Sequence, residues 1–382
     1  IDIDLTGADP LAELFAEELG AVLQVRTADL EAIADVLGDL PHRVVGYLRR
    51  DERIEVRQAG DILYASTRGA LQSQWSQVSY RMQRLRDNPD CADQEFESIA
   101  GDDPGFSSVL TFDPAQTFAI GTARPEVAVL REQGVNGQVE MAAAFERAGF
   151  TPVDVHMSDL IEGRVELMDF PALVACGGFS YGDVLGGGGG WAKSILFHDA
   201  VREAFAAYFE ADRLVLGVCN GCQMLANLSS IIPGAEYWPR FVRNASEQFE
   251  GRTVLLRVNR VASPWLAGMA GSVLPVAVAH GEGRAEFAHT ADQARFWSAG
   301  ATALQYVDNH HEPTERYPAN PNGAERGLAG IIAADGRVLA MMPHPERVFR
   351  GWQNAWRDPA WGDGDDGPWL RLFRNARSAL AD

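Results

Sequence analysis

The 382 residues carry 33 Lys and Arg against 53 Asp and Glu, a formal net charge of −20, which excludes the clustered basic surface that nucleic acid requires. Hydrophobic residues make up 46% and charged residues 23%, enough apolar material for two or three globular domains, and no run approaches the roughly 18–20 apolar residues of a membrane helix. Four cysteines, Cys91, Cys176, Cys219 and Cys222, are too few and too irregularly spaced for a disulfide scaffold, which points to a reducing, cytoplasmic setting in which a thiol is free to react.

The chain starts at Ile1, without the basic-then-apolar pattern of a secretory signal, and reads as a piece of a longer polypeptide. Residues 1–65 read as a small α+β piece. An acidic amphipathic stretch covers 10–19, a strand 21–26, a helix Leu30–Leu37 and a strand 42–48, and two short strands flank Gly60 within 54–64. These elements do not close a core of their own, so they read as a fragment of a larger domain. Residues 66–123 form a helical segment and a linker. Leu71, Trp75, Val78, Met82 and Leu85 recur at helical spacing, and Asn88-Pro89 ends the helix because a residue before proline avoids the α region. The linker, 101–123, is rich in Gly, Asp, Ser and Pro.

Residues 124–382 change character. Strands at 127–130, 152–156, 173–176 and Leu214–Val218 alternate with helices at 139–148 and 192–208, the pattern of an open, mostly parallel sheet with helices on both faces. Further strands at 253–258, 274–279, 304–307, Leu328–Ala333 and 338–342 come with fewer helices, so antiparallel strands extend the sheet. Residues 368–380 read as a closing helix.

Three short segments carry chemistry. Leu214–Val218 runs into Gly217-Val218-Cys219-Asn220-Gly221 and a helical pattern follows, which is the cysteine version of the strand–elbow–helix turn. The small neighbours Gly217 and Gly221 permit a sharp turn, the helix N-terminus favours thiolate at Cys219, and the Asn220 N–H is placed for an oxyanion. Cys219 with Cys222 also forms a Cys-x-x-Cys, which leaves redox, half a zinc site or a buried structural thiol as competing readings; Cys176 and Cys222 read as core thiols. The second segment, Pro343-His344-Pro345-Glu346, follows an apolar strand. Held extended by Pro345, it would point His344 and Glu346 to one side, a base beside the carboxylate that orients it. The third, Gly177 to Asp183 and then Gly186 to Gly190, is a glycine loop after a buried strand that would supply a second oxyanion N–H. Ala192-Lys193-Ser194 lacks the Gly-Lys of a phosphate loop, and glycine runs match a dinucleotide fingerprint trivially. His280, in Ala279-His280-Gly281-Glu282-Gly283, is read either as lining the same pocket or as a turn residue.

Taken in order, LRDNPDCADQE (85–95), VAVLREQGVNGQVEMAAAF (127–145), ACGGFSYGDVL (175–185), GVCNGCQML (217–225), WPRFVRN (238–244), YPANPNG (317–323) and MMPHPERVFR (341–350) resemble the C-terminal part of the large, single-chain phosphoribosylformylglycinamidine synthase family. The resemblance runs essentially from end to end. It implies a class I glutaminase-like amidotransferase domain at 124–382, with Cys219, His344 and Glu346 as triad, Gly178 and Asn220 building the oxyanion hole and Gln223 helping to hold glutamine. It makes 1–65 a partial α+β tail of the ATP-dependent synthetase domain. Its implied partners are glutamine and the synthetase region of the same polypeptide, with ATP and magnesium bound there and no cofactor or metal in this chain. The product would be ammonia for the conversion of formylglycinamide ribonucleotide to its amidine in purine biosynthesis. The family usually reads Gly-Ala-Gly-Glu-Gly-Trp where this chain has Gly186 to Gly190 and Trp191, which bears on the order of that loop and on coupling to the synthetase. A cysteine peptidase or deglycase-like hydrolase, and a glutamine-binding module without turnover, are the competing functions.

Overall fold

The computed structural model describes residues 1–116 and 123–380; residues 117–122 of the expected linker, and 381–382, lie outside them. The chain forms two compact units, one from Ile1–Met82 with Phe96–Asp102, the other from Gln83–Glu95 with Asp103–Asp382.

The smaller unit holds a mixed sheet of β1 (Asp2–Leu5), β2 (Gly46–Tyr47), β3 (Arg53–Gln58) and β4 (Asp61–Thr67), in the order β2-β1-β3-β4. Leu5 and Val56 are its buried large apolar side chains among the described residues, while Ile62, Leu63 and Tyr64 of β4 are exposed. The helix Leu30–Leu37 forms as its pattern requires. The strand expected at 21–26 does not form, and that expected at 42–48 shrinks to β2. A β-branched run becomes a strand only where a neighbour completes its hydrogen bonds, and here β1 takes just two residues of that stretch as partner. Further on, the helical pattern of 66–100 resolves into Arg68–Arg86 and Pro89–Ser98, with the break at Asp87-Asn88 set by Pro89.

The larger unit is built on β5 (Glu126–Arg131), β6 (Thr151–His156), β7 (Ala172–Ala175), β8 (Leu214–Val218), β9 (Arg240–Arg243), β10 (Glu250–Val258), β11 (Val273–His280), β12 (Glu282–Glu286), β13 (Thr302–Val307), β14 (Leu328–Ala333) and β15 (Val338–Met341). Nine of these make one sheet in the order β11-β10-β13-β14-β15-β8-β7-β5-β6, and β9 and β12 make a separate ribbon. Strands β15, β8, β7, β5 and β6 are parallel. The pairs β15/β14, β14/β13, β13/β10 and β10/β11 are antiparallel, so β14 and β10 are reversed while β13 and β11 run with the parallel set. The sheet is mostly parallel in direction, as its alternating strands and helices predict.

From β5 the chain crosses to β6 on one side, then returns to add β7, β8 and β15 on the other. Right-handed crossovers therefore put the helix Gln138–Arg147 on one face and the helices Gly189–Leu196, Asp199–Glu210 and Asn220–Asn227 on the opposite face. Strand order reverses between β5 and β7, and open α/β sheets bind ligands at the carboxyl ends of the strands beside such a point. The single helix expected over 192–208 is two, interrupted at His198, whose extended backbone (φ −110°, ψ 103°) caps the second. The helix Thr290–Ala299 and the β9/β12 ribbon have weak periodicity and were not evident in the pattern. No helix among the described residues is long and apolar enough to cross a membrane.

Candidate active site

β8 is buried along its whole length and delivers Cys219 to the carboxyl edge of the sheet. Cys219 itself has φ 52° and ψ −109°, a conformation unfavourable for an L residue, and the helix Asn220–Asn227 starts immediately after it. Both flanking glycines are required by contact distance. A Cβ on Gly221 would lie 2.0 Å from the Ala175 carbonyl oxygen in β7, and one on Gly217 would lie 2.4 Å from Leu225 Cδ1. The Gly-x-Cys-x-Gly string is thus a strained elbow wedged against the neighbouring strand, with the Cys219 N–H held by Met341 O at 2.9 Å.

β15 lies beside β8, so the segment after it reaches the same edge. His344 is 1% exposed and Glu346 is fully buried; His344 Nδ1 and Glu346 Oε1 are 2.6 Å apart. The His344 N–H is fixed by Ala277 O of β11 at 2.8 Å. The pair meets as the sequence predicts, but not on an extended stretch: Pro345–Arg347 is a turn of 3-10 helix. Proline's fixed φ suits the first position of a helical turn as well as it suits a strand, and here the turn folds Glu346 back onto the ring.

Gly177, after β7, lies between the Cys219 and His344 side chains. A carbon added to it would lie 2.8 Å from His344 Cε1 and 3.3 Å from Cys219 Cβ, so the two side chains converge over one small residue. Burial alone would push the imidazole toward neutrality. The Glu346 carboxylate, and after it Cys219, outweigh burial and hold His344 above its ordinary range. The second ring nitrogen, Nε2, is buried with no hydrogen-bond partner. The Cys219 thiol lies 3.7 Å from Ala279 O. By contrast, burial pushes the Cys176 and Cys222 thiols well up, as expected of core thiols. Among the described residues no cluster of His, Cys, Asp and Glu is arranged to hold a metal ion.

The remaining predicted residues divide. Gly178 (φ 150°) packs so tightly on the β5 loop that a Cβ would be 2.5 Å from Val135 Cα. Its N–H makes no hydrogen bond to the described residues, and Asn220, first in its helix, has no intrahelical acceptor for its own N–H. Asn220 is fully buried; its Oδ1 accepts from Ser180 N at 3.2 Å, and its Nδ2 donates to Asp183 Oδ1 and Gln223 Oε1, each at 3.0 Å. Gln223 Nε2 donates to Glu282 O at 2.5 Å. His280 is buried with both ring nitrogens unpartnered, one residue beyond the carbonyl that meets the thiol. Burial, with a lesser push from His344, takes its pKa down to about 3. No sequence pattern marks Asp183 and Glu282. Their role depends on the glycine loop, where Gly187 N donates to Glu282 Oε2 at 2.8 Å. Burial raises the Asp183 carboxyl above the usual range and the Glu282 charge adds to it, against hydrogen bonds from Asn220 and Gly188.

Comparison with known proteins follows the same outline. Residues 124–378 match the family described as the CobB/CobQ-like glutamine amidotransferase domain. PurLQS from Thermotoga maritima is 25% identical over 68% of this chain and 100% of that one, with a TM-score of 0.50. More distant are a glutamine amidotransferase from Thermotoga maritima (14% identical, 59% of this chain and 77% of that one, TM-score 0.37) and another from Methylobacillus flagellatus (16%, 67% and 94%, TM-score 0.36).

Proposed function

The chain belongs to the CobB/CobQ-like glutamine amidotransferase family over residues 124–378, and on that premise we propose that it hydrolyses the side-chain amide of glutamine with Cys219, His344 and Glu346 and passes the ammonia to a synthetase. The observation that carries this reading is the convergence of the Cys219 and His344 side chains over Gly177, with Glu346 bonded to Nδ1 of the ring.

His344 takes the thiol proton, or already holds it as a thiolate–imidazolium pair that Glu346 stabilises, and the thiolate attacks the amide carbon. The oxygen gains negative charge and is met by the N–H groups of Gly178 and Asn220; one such donor is worth roughly 3 kcal/mol of barrier. The imidazolium returns its proton to the departing nitrogen and ammonia leaves a glutamyl thioester. Water, deprotonated by His344, attacks that thioester, glutamate departs and the thiol is restored. Glu346 keeps the ring in the tautomer that presents Nε2 and stabilises its charged form, since Nδ1 is committed to the carboxylate. Gln223 helps hold the substrate, and His280 borders the pocket as a neutral group.

The destination of the ammonia is read from the resemblance to phosphoribosylformylglycinamidine synthase and from the likeness to PurLQS. In this reading a synthetase region of the same polypeptide, working in the cytoplasm, converts formylglycinamide ribonucleotide to its amidine. ATP with magnesium would activate the acceptor there, and this chain needs no cofactor of its own. Residues 1–65 are the tail of that region, 66–123 the join, and 124–382 the glutaminase.

The test is glutamate release from glutamine by the chain, with and without the synthetase region, beside Cys219→Ala. Release that disappears in the variant supports the reading. Release that survives it refutes Cys219 as nucleophile, and cleavage of peptides in preference to glutamine moves the function to a hydrolase of another kind.

A further inference from the structure

The side-chain amide of Gln223, one helical turn beyond the nucleophile, is gripped from three directions. Its Oε1 accepts from Asn220 Nδ2 at 3.0 Å, and its Nε2 donates to the main-chain oxygen of Glu282 at 2.5 Å. The third is the backbone of Gly187, lying so near that a side-chain carbon there would be 2.4 Å from Nε2 and 2.6 Å from Oε1. Asn220 admits one orientation. Its Oδ1 takes the Ser180 N–H, and its Nδ2 must face Asp183 Oδ1 and Gln223 Oε1, because a flipped amide would set oxygen against a carboxylate. The direction of each hydrogen bond is therefore transmitted to Gln223. One N–H and one oxygen lone pair of its amide remain uncommitted.

The loop that supplies the third contact is a run of turns, with Gly186 N–H donating to Asp183 O and Gly189 N–H to Gly186 O, each at 2.9 Å. Tyr181, Gly182, Asp183, Gly186 and Gly188 all have positive φ, between 53° and 84°, and a Cβ at Gly188 would be 2.3 Å from Met224 N. These turns fix the loop's own shape, and contacts from outside it hold that shape flat against the helix. Glu282 does so, through Gly187 N–H donating to Oε2 at 2.8 Å. One residue thus reaches Gln223 twice, by its own carbonyl and through the loop its carboxylate anchors.

We propose that Glu282 is a positioning residue for the substrate: its carboxylate clamps the glycine loop against Gln223 and its carbonyl orients that amide, so that the free N–H and lone pair of Gln223 meet the α-amino-acid end of glutamine. The proposal rests on the glutaminase reading and adds a residue to it. Glu282 touches neither the thiol nor the imidazole in the contacts above, so its loss weakens substrate binding and spares the chemistry.

The experiment compares the full chain with Glu282→Ala and Glu282→Gln. Two reagents are used on Cys219: iodoacetamide, which needs only an exposed thiol, and 6-diazo-5-oxo-L-norleucine, a glutamine-shaped alkylator whose saturation gives an inhibition constant. Steady-state KM and kcat for glutamine are measured alongside. Glu282→Ala should raise the inhibition constant and KM about tenfold or more, the scale of a lost hydrogen bond to a charged acceptor, with kcat and iodoacetamide rate within about threefold of wild type. Glu282→Gln, which keeps an acceptor oxygen for the Gly187 N–H, should recover most of the binding. An unchanged inhibition constant in Glu282→Ala overturns the proposal. So does parallel loss of iodoacetamide reactivity in both variants, which would make Glu282 a residue of the fold alone. If iodoacetamide modifies wild-type Cys219 and the glutamine analogue does not, the glutaminase reading itself fails and takes this inference with it.

Discussion

Gly221→Ala tests whether the elbow is closed in the way the distances require. The added methyl would sit 2.0 Å from the Ala175 carbonyl oxygen, 2.5 Å from its carbonyl carbon and 2.8 Å from its Cβ. All three belong to β7, a buried strand paired on both sides with β5 and β8, so no flexible side chain can move aside. Relief requires the helix Asn220–Asn227 to lift or the strand to shift. Overpacking of this kind costs about 1–3 kcal/mol, and a clash with main chain belongs at the upper end. At about 2–4 °C per kcal/mol for a large domain, a loss of about 3 kcal/mol lowers Tm by roughly 6–12 °C. Gly281→Ala is the control: a Cβ there meets nothing within 4 Å, and its Tm should stay within about 1 °C of wild type. Thermal unfolding followed by circular dichroism reads the stability, and the rate of Cys219 alkylation reads the elbow. A Gly221→Ala protein that melts within about 2 °C of wild type and alkylates at the wild-type rate would show that β7 and the elbow are not in this contact.

Two further outcomes follow from the buried groups. Glu346→Gln removes the charge that holds the His344 proton, so the pKa of His344 falls; glutamate release should drop roughly 10²–10⁴-fold and the alkaline limb of kcat/KM should move to lower pH. A profile of unchanged shape would separate Glu346 from the imidazole. His280 has a folded pKa of about 3 against an ordinary 6.5, so the unfolded chain takes up its proton first and stability falls as pH drops from about 6.5 toward 3. In His280→Leu that loss is absent. Between pH 7.5 and 4.5 the variant should lose about 2–3 kcal/mol less than wild type in urea unfolding, at 1.36 kcal/mol per unit; equal losses would show that His280 is not buried neutral.

Much of the larger unit is legible in the sequence because its signals are local. Alternating apolar strands and helical periods predict the parallel sheet, and Gly217-Val218-Cys219-Asn220-Gly221 predicts a sharp turn because small residues around a reactive one have few other uses. His344 and Glu346 are two residues apart, so their meeting is nearly a local event, although the backbone that joins them is a helical turn and not an extended run. The resemblance to a known family added the roles of Gly178 and Gln223, which no periodicity reveals. Local signals mislead where the answer depends on a neighbour. Residues 21–26 have the composition of a strand and no strand to pair with, and a single helical pattern over 192–208 hides the extended His198 that divides it.

What composition and motif determined by themselves was therefore the class of sheet, the elbow and the candidate nucleophile, base and orienting acid. Only the tertiary structure decided how closely they stand and what supports them. Cys219 and His344 are 125 residues apart in sequence and share the space over Gly177, because β15 inserts beside β8. Glu282 anchors Gly187 across 95 residues, through a hydrogen bond that neither segment signals. Periodicity records which face of an element avoids water; it does not record which distant backbone N–H will need an acceptor, and that need arises only when the chain has closed.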